Sequence, residues 1–531
     1  MHLPTRLCKW TTFSSGCSPE DPQKRLNSIR KSGCDPFGSA NFLRGCDHPV
    51  HPSGGLGKPS SQFALCSRLV RLALWSNARS GSPHAANQGH ILLDNSLPTA
   101  VIVGAGASGS LLAAHLARLG MSAIILEASD RIGRGVAYST SAPHHLLNVR
   151  AEAMSAWCDK PADFADFWQA RGGSPRDFAP RNLFGGYMEE VLADAIATGR
   201  IHLIKATVTE AREQGGSWSV TLSDGRMVTG RHLVLATGNE PAPTAFPLEK
   251  SAPLIVDSWS SQAEEIIGQV GTMAGDILVL GTGLTMIDTV LSLDSAGYSG
   301  TIYAVSRRGQ VPLEHADFAP APVSEAELPM SLMDLLRWVR GRAKTRGWRA
   351  AVDALRPYSQ KLWQQLSNNE KERFLRHCRP YWDAHRHRVA PQVSERVAEL
   401  RRQKRLRIIA GRVVAMREER PFGTRVEIAR RGAGSESAVE PIVRYVFNCT
   451  GALTNINETK NPLLRQLMMN GSIQADELQM GIMADPDGRV IPHASLWAVG
   501  PLIRGQYWET TAVREIRSQV TRMADRISKA P

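Results

Sequence analysis

Gly104, Gly106 and Gly109 stand in the run VIVGAGASG, and Glu127 closes the next apolar stretch, SAIILE, 23 residues after Gly104. Glycines at this spacing let a strand turn tightly into a helix, bring the backbone against a pyrophosphate, and let the helix pack closely on the strand. The helix N-terminus then faces the phosphates with its positive end, and an acid at the end of the second strand accepts hydrogen bonds from a ribose 2′-hydroxyl. The chemistry implied is capture of a dinucleotide. A second turn, GTGLTM, carries Gly281 and Gly283 but places Met286 where the third glycine would fall. Its following strand ends in AVSRRG, so Ser306, Arg307 and Arg308 stand where an acid would. A carboxylate there repels a 2′-phosphate, whereas a guanidinium forks onto one, so this turn is expected to take NADPH in preference to NADH.

These residues need strands and helices to hold them, and the pattern supplies both twice. TAVIVG reads as a short strand, SLLAAHLARLG as a helix and SAIILE as a second strand. Residues 201–238 then alternate as strand segments broken by turn signals, which is a β-meander closing on Thr237 and Gly238. The order repeats from residue 276: strand, glycine turn, helix, a strand ending at Arg308, further strands over 406–451, and a closing Thr450-Gly451. The expected fold is α/β, with two Rossmann-like, three-layer dinucleotide-binding domains, β-meanders and a helical insertion. Residues 97–255 begin the first domain; 256–324 and 401–451 make the second; 325–400, rich in Leu, Trp and Arg at helical spacing, are the insertion; 452–531 return to the first domain.

With 531 residues and 42% apolar composition the chain can bury a large core. Its net charge of +13 would suit an acidic partner, but residues 1–97 hold 11 Lys and Arg against 5 Asp and Glu, and no motif interleaves aromatic with basic residues, so nucleic-acid binding is not expected. Cys8, Cys17, Cys34, Cys46 and Cys66 cluster in the same tract at spacings that match no metal site, and no metal is expected. The basic, acid-free segment FALCSRLVRLALW at 63–75 is amphipathic but begins too late for a transit peptide, and residues 1–96 are read as a disordered extension or as translated upstream sequence. No apolar run is long enough for a spanning helix, so no stable membrane insertion and a cytoplasmic location are expected.

Taken as a set, VIVGAGASG, GRGVAYST, HLLNV, LATGNEP, GTGLTMID, SRRG, HRHR and GPLIRGQYWE resemble the bacterial FAD/NAD(P)-binding protein family, which is related to flavin-containing monooxygenases and to the lysine and ornithine N-hydroxylases. The resemblance covers residues 97–531. It implies FAD on the first glycine turn and Glu127, with Tyr138 and Asn148 approaching the flavin, Thr237 and Gly238 at a chain crossing, and Gly500 to Gly505 closing over the ring. NADPH would lie on the second turn and pass hydride to the flavin; the reduced flavin would then react with O2 to hydroxylate an amine or thioether of a small-molecule substrate. One departure stands against the last step. The best-known flavin monooxygenases carry FxGxxxHxxxW after the Thr-Gly pair, and here FPLEKSAPLIVDSW runs from Phe246 to Trp259 without that glycine or histidine. A reductase or dehydrogenase that does not activate oxygen, and a non-catalytic flavin-binding redox module docking through the helical insertion, therefore remain alternatives. The cluster His385 to Arg388 is open to two readings, a grip on an anionic ligand or a solvated helix face, and Cys449 reads as a small buried hydrophobe. No catalytic side chain is assigned, and oligomeric state and substrate are left open.

Overall fold

Two parallel sheets with the same strand order organise the computed structural model, which describes residues 90–91, 97–243, 255–419, 421–432 and 439–530. The first runs Leu496–Ala498, His232–Leu235, Ala100–Val103, Ala123–Glu127, Ile201–Lys205, every neighbouring pair parallel. The second runs Ile255–Asp257, Ile442–Asn448, Asp276–Leu280, Ile302–Ser306, Leu406–Glu419, again parallel throughout. In each, the strand that carries the glycine turn sits at the centre, flanked by its successor and by the strand that returns from the meander.

Strands Ala100–Val103 and His232–Leu235 are buried at every position, and Asp276–Leu280 at all but its first, because both faces of each sheet are covered. On one face of the first sheet pack the helices Ala107–Arg118, Arg181–Ala197 and Val513–Lys529, through residues such as Leu112, Phe184 and Met523. The other face meets the meander strands Val208–Gln214, Ser217–Leu222 and Met227–Gly230, with Trp218 and Val220 at the contact. The second sheet is built alike: the helices Ser261–Gln269, Leu284–Ser295 and Pro391–Arg402 cover one face, and the hairpin of Leu406–Glu419 with Gly423–Arg430 covers the other. These are the three layers expected of each nucleotide-binding domain.

Two features differ from the sequence reading. The helix Pro391–Arg402, inside the stretch assigned to the insertion, buries Val393, Val397 and Leu400 against the second sheet and is that sheet's crossover helix. The inserted block proper therefore spans the helices from Leu332–Arg346 to Arg379–Arg386. Within the tract read as a disordered extension, His90–Ile91 add a parallel strand to the meander beside Met227 and Val228. The remainder of residues 1–96, including the five cysteines and the 63–75 segment, lies outside the described residues, as does 246–254 of the Phe246 to Trp259 stretch. No helix among the described residues is long and apolar enough to cross a membrane.

Candidate functional site

The two glycine turns are superimposable in their bonding. Gly104 donates its N–H to Leu126 O at 2.8 Å, and Gly281 donates to Val305 O at 2.7 Å. Ala236 N–H, on the first returning strand, reaches Val103 O at 2.9 Å; Cys449 N–H, on the second, reaches Leu280 O at 2.8 Å. Gly104 has φ 108° and Gly281 φ 111°, the left-handed region that disfavours a side chain. A Cβ on Gly104 would lie 2.4 Å from Ala236 O, and one on Gly281 would lie 2.3 Å from Cys449 O. Each glycine is thus required by backbone angle and by the strand beside it.

Beyond each turn a helix begins at an extended N-cap glycine, Gly106 or Gly283, with no side-chain cap. The first-turn N–H groups of both helices are consequently left for a ligand, which is the arrangement that receives a phosphate. Gly109 packs the first helix onto its strand so closely that a Cβ would come within 2.0 Å of Gly104 O. Met286, at the corresponding place in the second helix, is fully buried, so that helix spends its contact on a side chain instead. Glu127 sits where a ribose would be held, its Oε2 accepting from Ala105 N–H at 2.7 Å and its Oε1 from Ser129 N–H at 2.8 Å. Both oxygens keep lone pairs for hydroxyl donors. The loop that follows is fixed from behind: Arg134 donates to both carboxylate oxygens of Glu189, at 2.6 and 2.8 Å, and Gly133 N–H reaches Ala105 O at 2.7 Å.

The two arginines of the second turn part company. Arg307 is exposed, with no ion pair among the described residues. Arg308 turns to the inserted block, donating to Arg376 O at 3.3 Å with its guanidinium 5.4 Å from the Tyr381 ring centre. Ser306, in place of an acid, bonds Thr282 Oγ1 at 2.8 Å and receives Gly309 N–H at 3.0 Å. Tyr138 sets its ring edge-on to Phe184 at 4.7 Å, and burial pushes its phenol up to about 12, so it stays a neutral packing group. Asn148 is half-buried and its carbonyl accepts from His315 Nε2 at 2.9 Å.

Past Thr237 and Gly238 (φ 73°) the chain crosses to the second sheet, and past Gly451 it crosses back. The crossings pair with each other: Pro241 and Ala452 form an antiparallel bridge, and Leu453 N–H donates to Glu240 O at 2.8 Å. Arg504, which sequence reasoning missed, pins them to the glycine-rich loop, with its Nη1 on Asn239 Oδ1 at 3.0 Å, its Nε on Met480 O at 3.1 Å and its Nη2 on Leu453 O. In that loop a Cβ on Gly500 (φ 69°) would lie 2.9 Å from Ser108 Oγ, in the first turn of the first helix, and one on Gly505 would overlap Asp476.

A further set of polar contacts ties the halves together. Arg181 pairs with Asp288 at 2.8 Å, both side chains largely buried. His145 donates from Nε2 to Asp288 O at 2.9 Å and accepts at Nδ1 from Thr140 at 2.8 Å; burial holds it down at about 4, so it is neutral. The HRHR cluster is neither a free anion grip nor a solvated face. Arg386 pairs with Glu509 at 3.3 Å with both side chains almost wholly buried, Arg388 pairs with Asp353, and burial holds His387 down at about 4. Cys449 is buried against Ser258 Oγ at 2.9 Å and its thiol is pushed up to about 12, which makes it inert.

Residues 101–240 match the FAD-NAD(P)-binding family. The match contains the first glycine turn, Glu127, Tyr138, Asn148 and the first crossing. The chain is also 29% identical, over 250 residues, to the indole-3-pyruvate monooxygenase of Oryza sativa subsp. japonica, covering 46% of this chain and 54% of the relative, so it spans about half the length of that protein. Among solved structures it is similar to the reduced ornithine hydroxylase of Pseudomonas aeruginosa (15% identity, 82% of this chain and 99% of that one, TM-score 0.56). It is similar too to the FAD-bound cadaverine monooxygenase of Erwinia amylovora (13% identity, 82% and 95%, TM-score 0.58). At those identities the likeness establishes the shared two-domain fold.

Proposed function

We propose that this chain is an FAD-dependent, NADPH-using oxidoreductase of the monooxygenase type, acting on a small molecule with O2 in the cytoplasm. The observation that carries the proposal is the repeated glycine turn, with its uncapped helix start and its crossing strand, present once beside Glu127 and once beside Arg307. One turn presents an acid suited to a free ribose; the other presents a cation suited to a 2′-phosphate. FAD would be held by Gly104, Gly106, Gly109 and Glu127, with Thr237, Gly238, Gly500 and Gly505 around it, and Tyr138 and Asn148 beside the loop it faces. NADPH would be held by Gly281, Gly283 and Arg307, with Arg308 fixing the rim of that site to the inserted block. FAD supplies the hydride-accepting and oxygen-reacting chemistry when bound. The protein's part is to hold the two nucleotides across paired crossings.

The similarity to the indole-3-pyruvate monooxygenase, and the shared architecture with ornithine and cadaverine hydroxylating enzymes, favour oxygen transfer. The missing glycine and histidine between Phe246 and Trp259 favour a reductase as the second reading. Anaerobic stopped-flow spectroscopy of the purified chain separates them. Rapid bleaching of the flavin band by NADPH rather than NADH, followed on admitting oxygen by a long-lived absorbance distinct from oxidised flavin, is the expected result. Bleaching followed by immediate reoxidation makes the protein a reductase, and absence of bound flavin refutes both.

A further inference from the structure

Glu509 is a non-glycine residue at φ 65°, a conformation that costs free energy and persists only where the surroundings impose it. Its side chain is almost fully buried and, among the described residues, engaged from the inserted block alone: Trp382 donates Nε1–H to Oε1 at 2.9 Å, and Arg386 lies at 3.3 Å. The neighbouring contacts come from the same block. Trp363 donates to Gly505 O at 2.8 Å and stacks on Trp508 with ring centres 4.8 Å apart. The helical insertion thus grips the loop at 505, 508 and 509, and the next residue is Thr510.

Thr510 is 3% exposed, yet no described residue hydrogen-bonds its hydroxyl. An orphaned buried hydroxyl is costly, so its retention points to a ligand that completes it. Its place in the fold says which. A Cβ on Gly500 would sit 2.9 Å from Ser108 Oγ and 3.8 Å from Thr510 O, so Thr510 stands across Gly500 from the first turn of the helix Ala107–Arg118. It also stands just ahead of the helix Val513–Lys529, whose N-terminus likewise has no side-chain cap.

The geometry points to Thr510 as a direct hydrogen-bonding contact to the polar chain of the flavin dinucleotide, and to Glu509 as the positioning residue through which the inserted helices hold it there. This rests on the FAD reading above. The insertion then becomes part of the cofactor site.

The test is titration of the full-length apoprotein with FAD, followed by flavin fluorescence and the visible flavin spectrum, with apoprotein melting as a separate readout. Thr510→Val keeps the shape and removes the hydroxyl; it should weaken FAD binding by about ten-fold without lowering the apoprotein's melting temperature. Thr510→Ser, which keeps the hydroxyl, should bind within about two-fold of the original. Glu509→Ala should weaken FAD binding as Thr510→Val does. If Thr510→Val binds FAD as the unaltered protein does, or Thr510→Ser loses as much as Thr510→Val, the hydroxyl contact is overturned while the FAD reading stands. If Glu509→Ala lowers only the melting temperature, its positioning role is overturned. If the unaltered apoprotein takes up no FAD, the underlying reading fails and takes this one with it.

Discussion

Arg307→Ala separates nucleotide recognition from structure, because Arg307 is exposed and carries no ion pair among the described residues. Nothing within the protein is lost with its guanidinium, and the whole effect falls on the ligand. A hydrogen bond to a charged group contributes about 1.5–3 kcal/mol net, and solvent and salt screening at an exposed strand end place this one near the lower limit. About 1.5–2 kcal/mol corresponds to a fall of about 10- to 30-fold in kcat/KM for flavin reduction by NADPH. NADH has no 2′-phosphate, so its value should stay within about two-fold. Arg308→Ala should behave differently. That guanidinium is already committed to Arg376 O and the Tyr381 ring, so its removal loosens the rim against the inserted block and moves both nucleotides in the same direction. The assay is anaerobic stopped-flow reduction with each nucleotide at two ionic strengths, the NADPH advantage shrinking at the higher one. An unchanged NADPH to NADH ratio in Arg307→Ala would refute the assignment of the second turn.

Gly109→Ala should bind no FAD and melt well below the unaltered protein, since its Cβ would lie 2.0 Å from the carbonyl of Gly104, which is backbone and has nowhere to go; flavin content after purification and a thermal melt check it. Met286→Gly completes the three-glycine pattern in the second turn, yet it should destabilise by on the order of 4 kcal/mol, because it empties a fully buried side chain and puts glycine inside a helix; urea unfolding would expose the error if stability were unchanged. His145 is held near 4 against an ordinary 6.5 by burial, with Arg181 opposing its charge, so the unfolded chain binds the extra proton and stability falls as pH drops from about 6.5 to about 4. That difference is worth about 3 kcal/mol, and His145→Gln should flatten the urea midpoint over this window; an equally steep dependence in the variant would count against it.

The glycine turns were legible because their demands are local. A strand that must turn beside another strand's carbonyl excludes a side chain at Gly104 and Gly281 whatever the rest of the chain does. The repeat of elements along the chain was legible for the same reason, each returning strand being announced by its Thr-Gly end. What escaped the sequence is long-range and polar. Arg386 reads as an anion grip or a solvated cation until Glu509 arrives from the far end of the chain, and Arg504 reads as a loop residue until both crossings fold beneath it. The boundary of the insertion was misplaced because apolar residues at helical spacing look alike whether they face a neighbouring helix, as Leu332 and Leu335 do, or a sheet, as Val393 and Val397 do.

Duplication of the turn explains more than the presence of two sites. Each returning strand ends at the carboxyl edge of its own sheet, where open α/β sheets generally bind their ligands. The chain leaves the first sheet past Gly238 and leaves the second past Gly451, and the two exits pair as an antiparallel bridge at Pro241 and Ala452. Joining the exits brings the carboxyl ends of the two sheets to a common seam, which Arg504 pins, while the Arg181–Asp288 pair ties a helix of the first domain to one of the second. The insertion reaches the same seam from outside, gripping the glycine-rich loop through Trp363, Trp382 and Arg386 and the second turn through Arg308, so it is coupled to both turns rather than independent of them.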